Sequence, residues 1–157
     1  MKDLLIVRHG NYGRNYHLDE VGREQIAKMA KWIRMLSELG SLALLSSTAP
    51  RAIESAEIIG KEIGVQIHEH PILWSGGDAI FGDERERWSS EGVVALIRQY
   101  EQYDTVILVC HLESTESVPE RFGDRVLGVH TFPYKEVGKG EGWLIDCKLK
   151  TCTKIQP

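Results

Sequence analysis

An arginine, a histidine and a glycine stand together at the end of an aliphatic run near the N-terminus, in "LLIVRHG". The planar guanidinium of Arg8 presents a fork of donors that fits phosphate oxygens, and a neutral His9 imidazole can attack phosphorus and carry a phosphoryl group. Gly10 has no Cβ, so its backbone carbonyl can approach the His9 ring, bind Nδ1 and leave Nε2 free. The three residues therefore indicate phosphoryl chemistry, provided that the fold supplies partners.

Two later segments carry suitable partners. The sequence "SSTAPRA" follows a second aliphatic run and places Ser46 and Ser47 at its end, with Arg51 in the first turn of a helix. A third aliphatic run ends in Cys110 and His111. Two arginines and a helix N-terminus suit a dianionic phosphoryl group, and a second, charged histidine would stabilise the negative oxygens during transfer. This chemistry requires no metal, and we expect no cofactor.

The elements that must position these residues follow from the hydrophobic pattern. The aliphatic runs at 4–7, 42–45 and 106–109 show no polar alternation, which is typical of central strands in a parallel sheet. Segments with helical spacing separate them, so the chain is predicted to form a three-layer α/β/α sandwich with a mostly parallel central sheet. Ligands bind at the carboxyl ends of such strands, and the arginines and histidines are therefore expected to meet at one rim.

Start and stop signals set the expected boundaries. Residues able to cap a helix N-terminus precede the three helical segments: Asp19, Ser47 or Thr48, and Ser89 or Ser90. Glycines are expected to close the first two helices: Gly40 and Gly64. His68 and His70 are expected at a strand edge, residues 74–88 form a predicted surface loop, and two further strands are predicted over 126–131 and 142–149.

Length and composition bound the function. A chain of 157 residues suits a single domain over 1–157, and its net charge of -4 provides no general attraction to nucleic acid or an anionic membrane. No apolar run approaches the roughly 20 residues that span a bilayer, so we expect a cytoplasmic protein. The three cysteines, Cys110, Cys147 and Cys152, fit reduced thiols, although Cys147 and Cys152 could pair across a bend. Cys110 is disfavoured as a nucleophile because adjacent strand residues, such as Cys110 and His111, point to opposite faces.

Four segments in order, "VRHG", "HLDEVGREQ", "SSTAPRAIESAEII" and a later strand ending in His111, resemble the histidine phosphatase superfamily, which has the phosphoglycerate mutase-like fold. The short members that resemble phosphohistidine phosphatases are the most similar. The resemblance implies that His9 is the phosphorylated nucleophile and that Arg8, Arg51 and His111 complete the phosphate pocket. It also implies three residues that contact the substrate or shape its pocket: Gly10, Asn15 and Ser47.

Many members of that superfamily place a glutamate shortly after a leucine, where it protonates the leaving group. Here Leu73 is followed by Trp74 and Ser75. The nearest candidate acid is Asp78, and two further acids stand behind it: Asp83 and Glu84. A phosphoramidate nitrogen leaves with less general-acid help than an alkoxide, so a missing glutamate fits that substrate class.

Two functions follow from these observations. The first is a phosphatase whose substrate is a phosphorylated small molecule or a phosphoprotein; mutase activity is less favoured because this compact chain has little sequence with which to build a closed lid. The alternative is a catalytically weak or inactive family member that binds a phosphorylated ligand or a protein partner. The oligomeric state is not predicted.

Overall fold

A six-stranded sheet forms the centre of the protein in the computed structural model, which describes residues 1–36, 38–76 and 87–157. Its strands are β1 (Asp3–Arg8), β2 (Leu42–Ser46), β3 (Ile67–Glu69), β4 (Thr105–Cys110), β5 (Gly142–Asp146) and β6 (Thr151–Ile155). They lie in the order β3-β2-β4-β1-β5-β6; the first four are parallel to one another, β5 is antiparallel to β1, and β6 is antiparallel to β5. The predicted α/β class with a mostly parallel sheet is confirmed.

Four helices cover the two faces of this sheet: α1 (Glu20–Arg34), α2 (Pro50–Ile63), α3 (Ser90–Arg98) and α4 (Leu112–Phe122). Alternate residues of β1 face opposite layers: Leu4 and Ile6 pack with α3 and α4, whereas Leu5 and Val7 pack with α1 and α2. Burial on both faces explains the uninterrupted aliphatic runs of β1 and β4. No described helix combines the length and apolar character needed to cross a membrane.

The helix signals are confirmed in part. Asp19 Oδ1 accepts a hydrogen bond from the Gly22 amide at 2.8 Å, and Ser89 Oγ accepts one from Gly92 at 3.0 Å, so both residues cap as predicted. Gly64 ends α2 in the left-handed conformation. The other predictions are wrong. α1 ends at Arg34 rather than before Gly40, and the residue that caps α2 is Ala49, without a side-chain cap.

Strand prediction was wrong in the C-terminal region. Residues 126–131 do not form a strand, because the chain leaves α4 through a π-helical turn, Gly123–Leu127, that Gly128 ends in the left-handed conformation. A short apolar run fits a buried helical turn as well as a strand, and here Val126 and Leu127 pack on the core from the turn. The strand predicted over 142–149 is confirmed only for β5. β6 was not predicted. Only one of its five residues, Ile155, is buried, so it has no hydrophobic pattern that marks a strand.

Candidate active site

The carboxyl ends of β1, β4 and β2 lie side by side, because these strands are parallel neighbours in the sheet. Backbone pairing continues past each strand: the His9 amide donates to the Cys110 carbonyl and the Ser47 amide donates to the Val109 carbonyl, both at 3.0 Å. His111 follows Cys110 directly. His9, Ser47 and His111 therefore emerge at one level of the rim, as the sequence predicted from the aliphatic runs alone.

His9 is held with one ring nitrogen as donor and the other as acceptor. Its Nδ1–H donates to the Gly10 carbonyl at 2.8 Å, and its Nε2 accepts a hydrogen bond from Arg51 Nε at 3.3 Å. Only 3% of the residue is exposed, and this burial lowers the pKa of His9 to about 3, against the opposing hydrogen bond to Gly10, with the charges of Arg51 and Arg8 adding to the decrease. The ring is neutral at pH 7, and its lone pair is on Nε2.

His111 is neutral as well; the charge expected on the second histidine belongs to the transfer step itself. Arg51 Nη2 donates to His111 Nδ1 at 3.4 Å; since a guanidinium has no acceptor, the ring proton is on Nε2 and donates to Ser47 Oγ at 2.8 Å. Burial, together with the adjacent His9, Arg51 and Arg8, lowers the pKa of His111 to about 2. Two arginines beside a buried imidazole disfavour a third positive charge there.

The two arginines approach this pair of rings from different elements. Arg51, only 4% exposed, extends from the first turn of α2, and its guanidinium carbon lies 4.5 Å from the centre of the Tyr12 ring. Arg8 donates from Nη1 to the Val137 carbonyl at 2.8 Å, while its buried Nε has no hydrogen-bond partner among the described residues. The predicted group of Arg8, His9, Arg51 and His111 is thus assembled in one place, with a buried donor still to be satisfied.

The three residues predicted to contact substrate have different surroundings. A Cβ on Gly10 would lie 2.5 Å from the Gly22 carbonyl oxygen, so a glycine is required where α1 packs against the end of β1. The Ser47 hydroxyl is hydrogen-bonded to His111 Nε2 and accepts a hydrogen bond from the Ala49 amide at 3.2 Å. These two partners explain why it does not cap α2. Asn15 is exposed, and its side-chain oxygen accepts a hydrogen bond from the His17 amide at 3.3 Å.

The expected proton donors, Asp78, Asp83 and Glu84, lie outside the described residues. Two residues after Leu73, the side chain of Ser75 is buried (3% exposed), and its hydroxyl donates a hydrogen bond to Glu113 Oε2 at 2.7 Å. The first turn of α4 therefore brings a carboxylate next to the segment in which the sequence has none aligned. Glu113 was missed because its only signal was its place two residues after His111.

Two further residues beside the histidines were also missed. The Tyr12 ring contacts the His9 ring edge-on, with centroids 5.3 Å apart. Lys139 Nζ lies 4.6 Å from the Tyr12 ring centre and donates to Asn11 Oδ1 at 2.9 Å. Lys139 belongs to the turn before β5, 130 positions after His9, and no spacing in the sequence links them.

The thiol beside His111 is poorly suited to nucleophilic attack. Cys110 is fully buried, and its Sγ lies 3.6 Å from the Val7 carbonyl in the sheet. Burial raises the pKa of Cys110 to about 12, so the reactive thiolate is rare near neutral pH. The burial supports the prediction that Cys110 is not the nucleophile.

Mild acid should destabilise the protein through the two buried histidines. Their folded pKa values lie below the unfolded value of 6.5, so the unfolded chain binds protons first and stability present above pH 6.5 is lost as the pH falls toward about 3 and 2. From about pH 7.5 to about pH 5.5, each histidine should cost about 1 kcal/mol of the free energy of unfolding.

Urea denaturation at both pH values measures this loss. His111→Gln should lose about 1 kcal/mol less than the wild type on acidification. An identical loss in the wild type and His111→Gln would show that His111 is not held neutral by the fold.

Comparison with known proteins gives the same picture as the motifs. Residues 4–77 match the family model described as "Histidine phosphatase superfamily (branch 1)". No curated protein is significantly similar in sequence.

Similar solved structures include the protein histidine phosphatase SixA complexed with tungstate, with a TM-score of 0.71 at 18% identity, covering 99% of this chain and 97% of that chain. A mycobacterial glucosyl-3-phosphoglycerate phosphatase in complex with VO3 gives a TM-score of 0.66 at 17% identity over 92% of each chain. A mycobacterial hydrolase gives 0.67 at 19% identity, covering 91% of this chain and 90% of that chain. At these identities the likeness establishes the fold, and with the family match it confirms the resemblance to the histidine phosphatase superfamily.

Proposed function

We propose that this histidine phosphatase-like protein is a metal-independent phosphatase that forms a covalent phosphohistidine on His9. One observation carries the proposal: the Gly10 carbonyl holds Nδ1–H of a buried, neutral His9, so the lone pair of Nε2 is available between Arg51 and the second histidine. A nucleophilic imidazole needs a fixed tautomer and an unprotonated ring nitrogen, and both conditions are met.

In the first step, His9 Nε2 attacks the substrate phosphorus and an N–P bond forms as the bond from phosphorus to the leaving oxygen or nitrogen breaks. The leaving group departs with the bonding electron pair and takes a proton from solvent or from Asp78. In the second step, water attacks the phosphohistidine and gives up a proton to solvent or to Asp78, the N–P bond breaks, and inorganic phosphate is released with His9 neutral again. Atoms and charge balance over the cycle without an oxidant or a metal.

Arg8 and Arg51 have the main electrostatic role in this scheme. Their guanidinium groups stabilise the oxygens of the transferring phosphoryl group, and the orphaned Arg8 Nε is one donor ready for that use. A bound dianion also favours the protonated form of His111, which would then donate from Nδ1, the atom that Arg51 faces in the structure. His111 thus acquires its charge with the substrate rather than before it.

The substrate class that fits is a phosphomonoester or a phosphoramidate, on a small molecule or a protein. The resemblance to a protein histidine phosphatase supports the phosphoramidate side, since an N–P bond demands little general acid. Glu113, whose carboxylate lies beside the segment that follows Leu73, already accepts a hydrogen bond from Ser75.

Hydrolysis of p-nitrophenyl phosphate by the wild-type protein tests the proposal. Turnover should be unchanged by EDTA, because imidazole and guanidinium groups provide the nucleophile and the charge stabilisation. Loss of hydrolysis on addition of EDTA, with recovery on addition of a divalent cation, would contradict the metal-independent scheme.

The second candidate function is a phosphate-binding protein with little or no turnover. It is favoured by one observation, that Trp74 and Ser75 rather than a carboxylate follow Leu73. Tungstate or phosphate binding without p-nitrophenyl phosphate or phosphohistidine hydrolysis would support it against the phosphatase.

A further inference from the structure

Lys139 lies next to the histidines because its loop is fastened to the end of β1. The Gly140 amide donates to the carbonyls of Arg8 and His9 at 3.2 and 3.1 Å, and the Val137 carbonyl accepts the Arg8 guanidinium. Gly140 has φ +74, and a Cβ there would lie 2.6 Å from Gln25 Cβ, so this path of the loop depends on glycine. These contacts fix the backbone on both sides of Lys139.

The Lys139 side chain is directed toward the phosphoryl pocket by Tyr12 and Asn11. Its Nζ lies 4.6 Å from the centre of the Tyr12 ring, and the same ring contacts His9. Among the described residues, Nζ donates one hydrogen bond, to Asn11 Oδ1 at 2.9 Å. An ammonium group has three donors, so two remain for solvent or a ligand.

The charge around Lys139 is positive. Burial and the charge of Arg8 lower its pKa, Asp19 raises it, and Arg51 lowers it further. The Asp19 carboxylate is already engaged, with Oδ1 accepting from the Gly22 amide and Oδ2 from Asn11 Nδ2 at 2.6 Å. The Asn11 amide stands between the two residues, so the ammonium meets an amide oxygen rather than a carboxylate.

A transferring phosphoryl group carries close to two negative charges, and Arg8 and Arg51 supply two positive ones. Lys139 adds a third positive charge to these two, and it contacts the same Tyr12 ring that His9 contacts. We propose that Lys139 binds a second anionic group on the substrate, a carboxylate or a further phosphate, which the phosphoryl group and Tyr12 place beside it. The inference rests on the proposed phosphoryl site, and it makes the preferred substrate a phosphorylated molecule with an additional negative charge.

Non-hydrolysable probes test Lys139 independently of turnover. Carboxybenzylphosphonates with the carboxylate at the meta or para position are compared by titration calorimetry with the matched carbamoyl compounds, which lack the charge. In the wild type at least one carboxylate should bind about tenfold more tightly than its carbamoyl partner. Lys139→Met should abolish this preference while leaving binding of the carbamoyl compounds almost unchanged.

Two variants separate charge from structure. Lys139→Arg should keep most of the preference because it retains the positive charge, and Lys135→Met, an exposed position on the same connecting segment, should keep all of it. If Lys139→Met keeps the wild-type preference, or if no carboxylate is preferred by the wild type, the proposal is wrong. If the variant weakens charged and neutral probes equally, Lys139 serves the phosphoryl group itself, and the second anionic group is ruled out.

Failure of the proposed function gives a different result. A protein that binds these phosphonates with a Lys139-dependent preference, yet does not hydrolyse p-nitrophenyl phosphate, would lack the phosphatase activity and keep the anion subsite. A protein that hydrolyses p-nitrophenyl phosphate but shows no such preference would have the phosphatase activity and lack the anion subsite.

Discussion

His9→Ala is expected to lose essentially all phosphatase activity, a fall in kcat of roughly ten-thousand-fold or more, because the variant has no group to carry the phosphoryl intermediate. Turnover of p-nitrophenyl phosphate measures the rate. Rapid quenching in alkali after mixing with a labelled phosphoramidate substrate measures the intermediate, since an N–P bond on histidine survives alkali and breaks in acid. The wild type should show acid-labile, alkali-stable label, and His9→Ala should show none.

His130→Ala is a matched control, because His130 is an exposed histidine whose ring contacts the Asp124 carboxylate rather than the rim. It should keep the wild-type rate and the wild-type label. Equal activity in His9→Ala and the wild type would eliminate the covalent mechanism, whereas loss of the label with retention of rate would indicate direct attack by water. A thermal unfolding curve for each variant shows that the rate comparison is made on folded protein.

Arg51→Met is expected to lower kcat/KM by about a hundredfold to a thousandfold, because it removes preorganised donors from the developing charge on phosphorus. Burial, the main cause of the low pKa values of both histidines, remains in this variant, but the change withdraws a positive charge that lowers them further, so both pKa values should rise in part. Protonated His9 cannot attack, and the acid side of the variant's rate profile should therefore lie at a higher pH than that of the wild type.

The pH profile of kcat/KM for the two proteins measures both effects. Arg51→Lys should recover only a small part of the rate, since an ammonium lacks the planar fork that spans two rings, yet it should restore the wild-type pH profile because it restores the charge. Arg34→Met, which removes an exposed arginine paired with Glu62 at 3.1 Å, serves as the control and should leave the profile unchanged. A variant at Arg51 with a normal rate would mean that α2 does not serve the phosphoryl site.

The sequence was sufficient for the parts of the site that depend on local pattern. β1 and β4 are recognisable because both faces of each strand are covered, so each contains a run of aliphatic residues that no polar residue interrupts. The ends of these runs locate His9 and His111. Arg51 could be placed in a first helical turn because Pro50 precedes it. The hydrogen bond between His9 Nδ1 and the Gly10 carbonyl was predicted because glycine has no side chain to keep its carbonyl away from the ring. The structure confirms this contact at 2.8 Å.

Local pattern failed where one side chain has two candidate partners. Ser47 is a residue type that commonly caps a helix, yet its hydroxyl is hydrogen-bonded to His111, which follows β4. Pro50 has no amide hydrogen, so the N-terminus of α2 has one donor fewer that needs a partner. The neutral resting state of His111 could not be predicted from the sequence for a related reason, because the cost of burying a third cation beside two arginines depends on distances that the sequence does not contain.

By itself the sequence determined the layered fold, the rim and its two histidines and two arginines, since burial pattern and parallel topology bring strand ends together whatever the loops do. Only the tertiary structure decided which other groups stand beside them: Tyr12, Lys139 and the Ser75–Glu113 hydrogen bond. These contacts join residues from separate turns and helices, whose relative positions are set by packing across the whole molecule. The phosphoryl chemistry is therefore predicted by the strands, and the surroundings that select a substrate are set by the packing of loops against them.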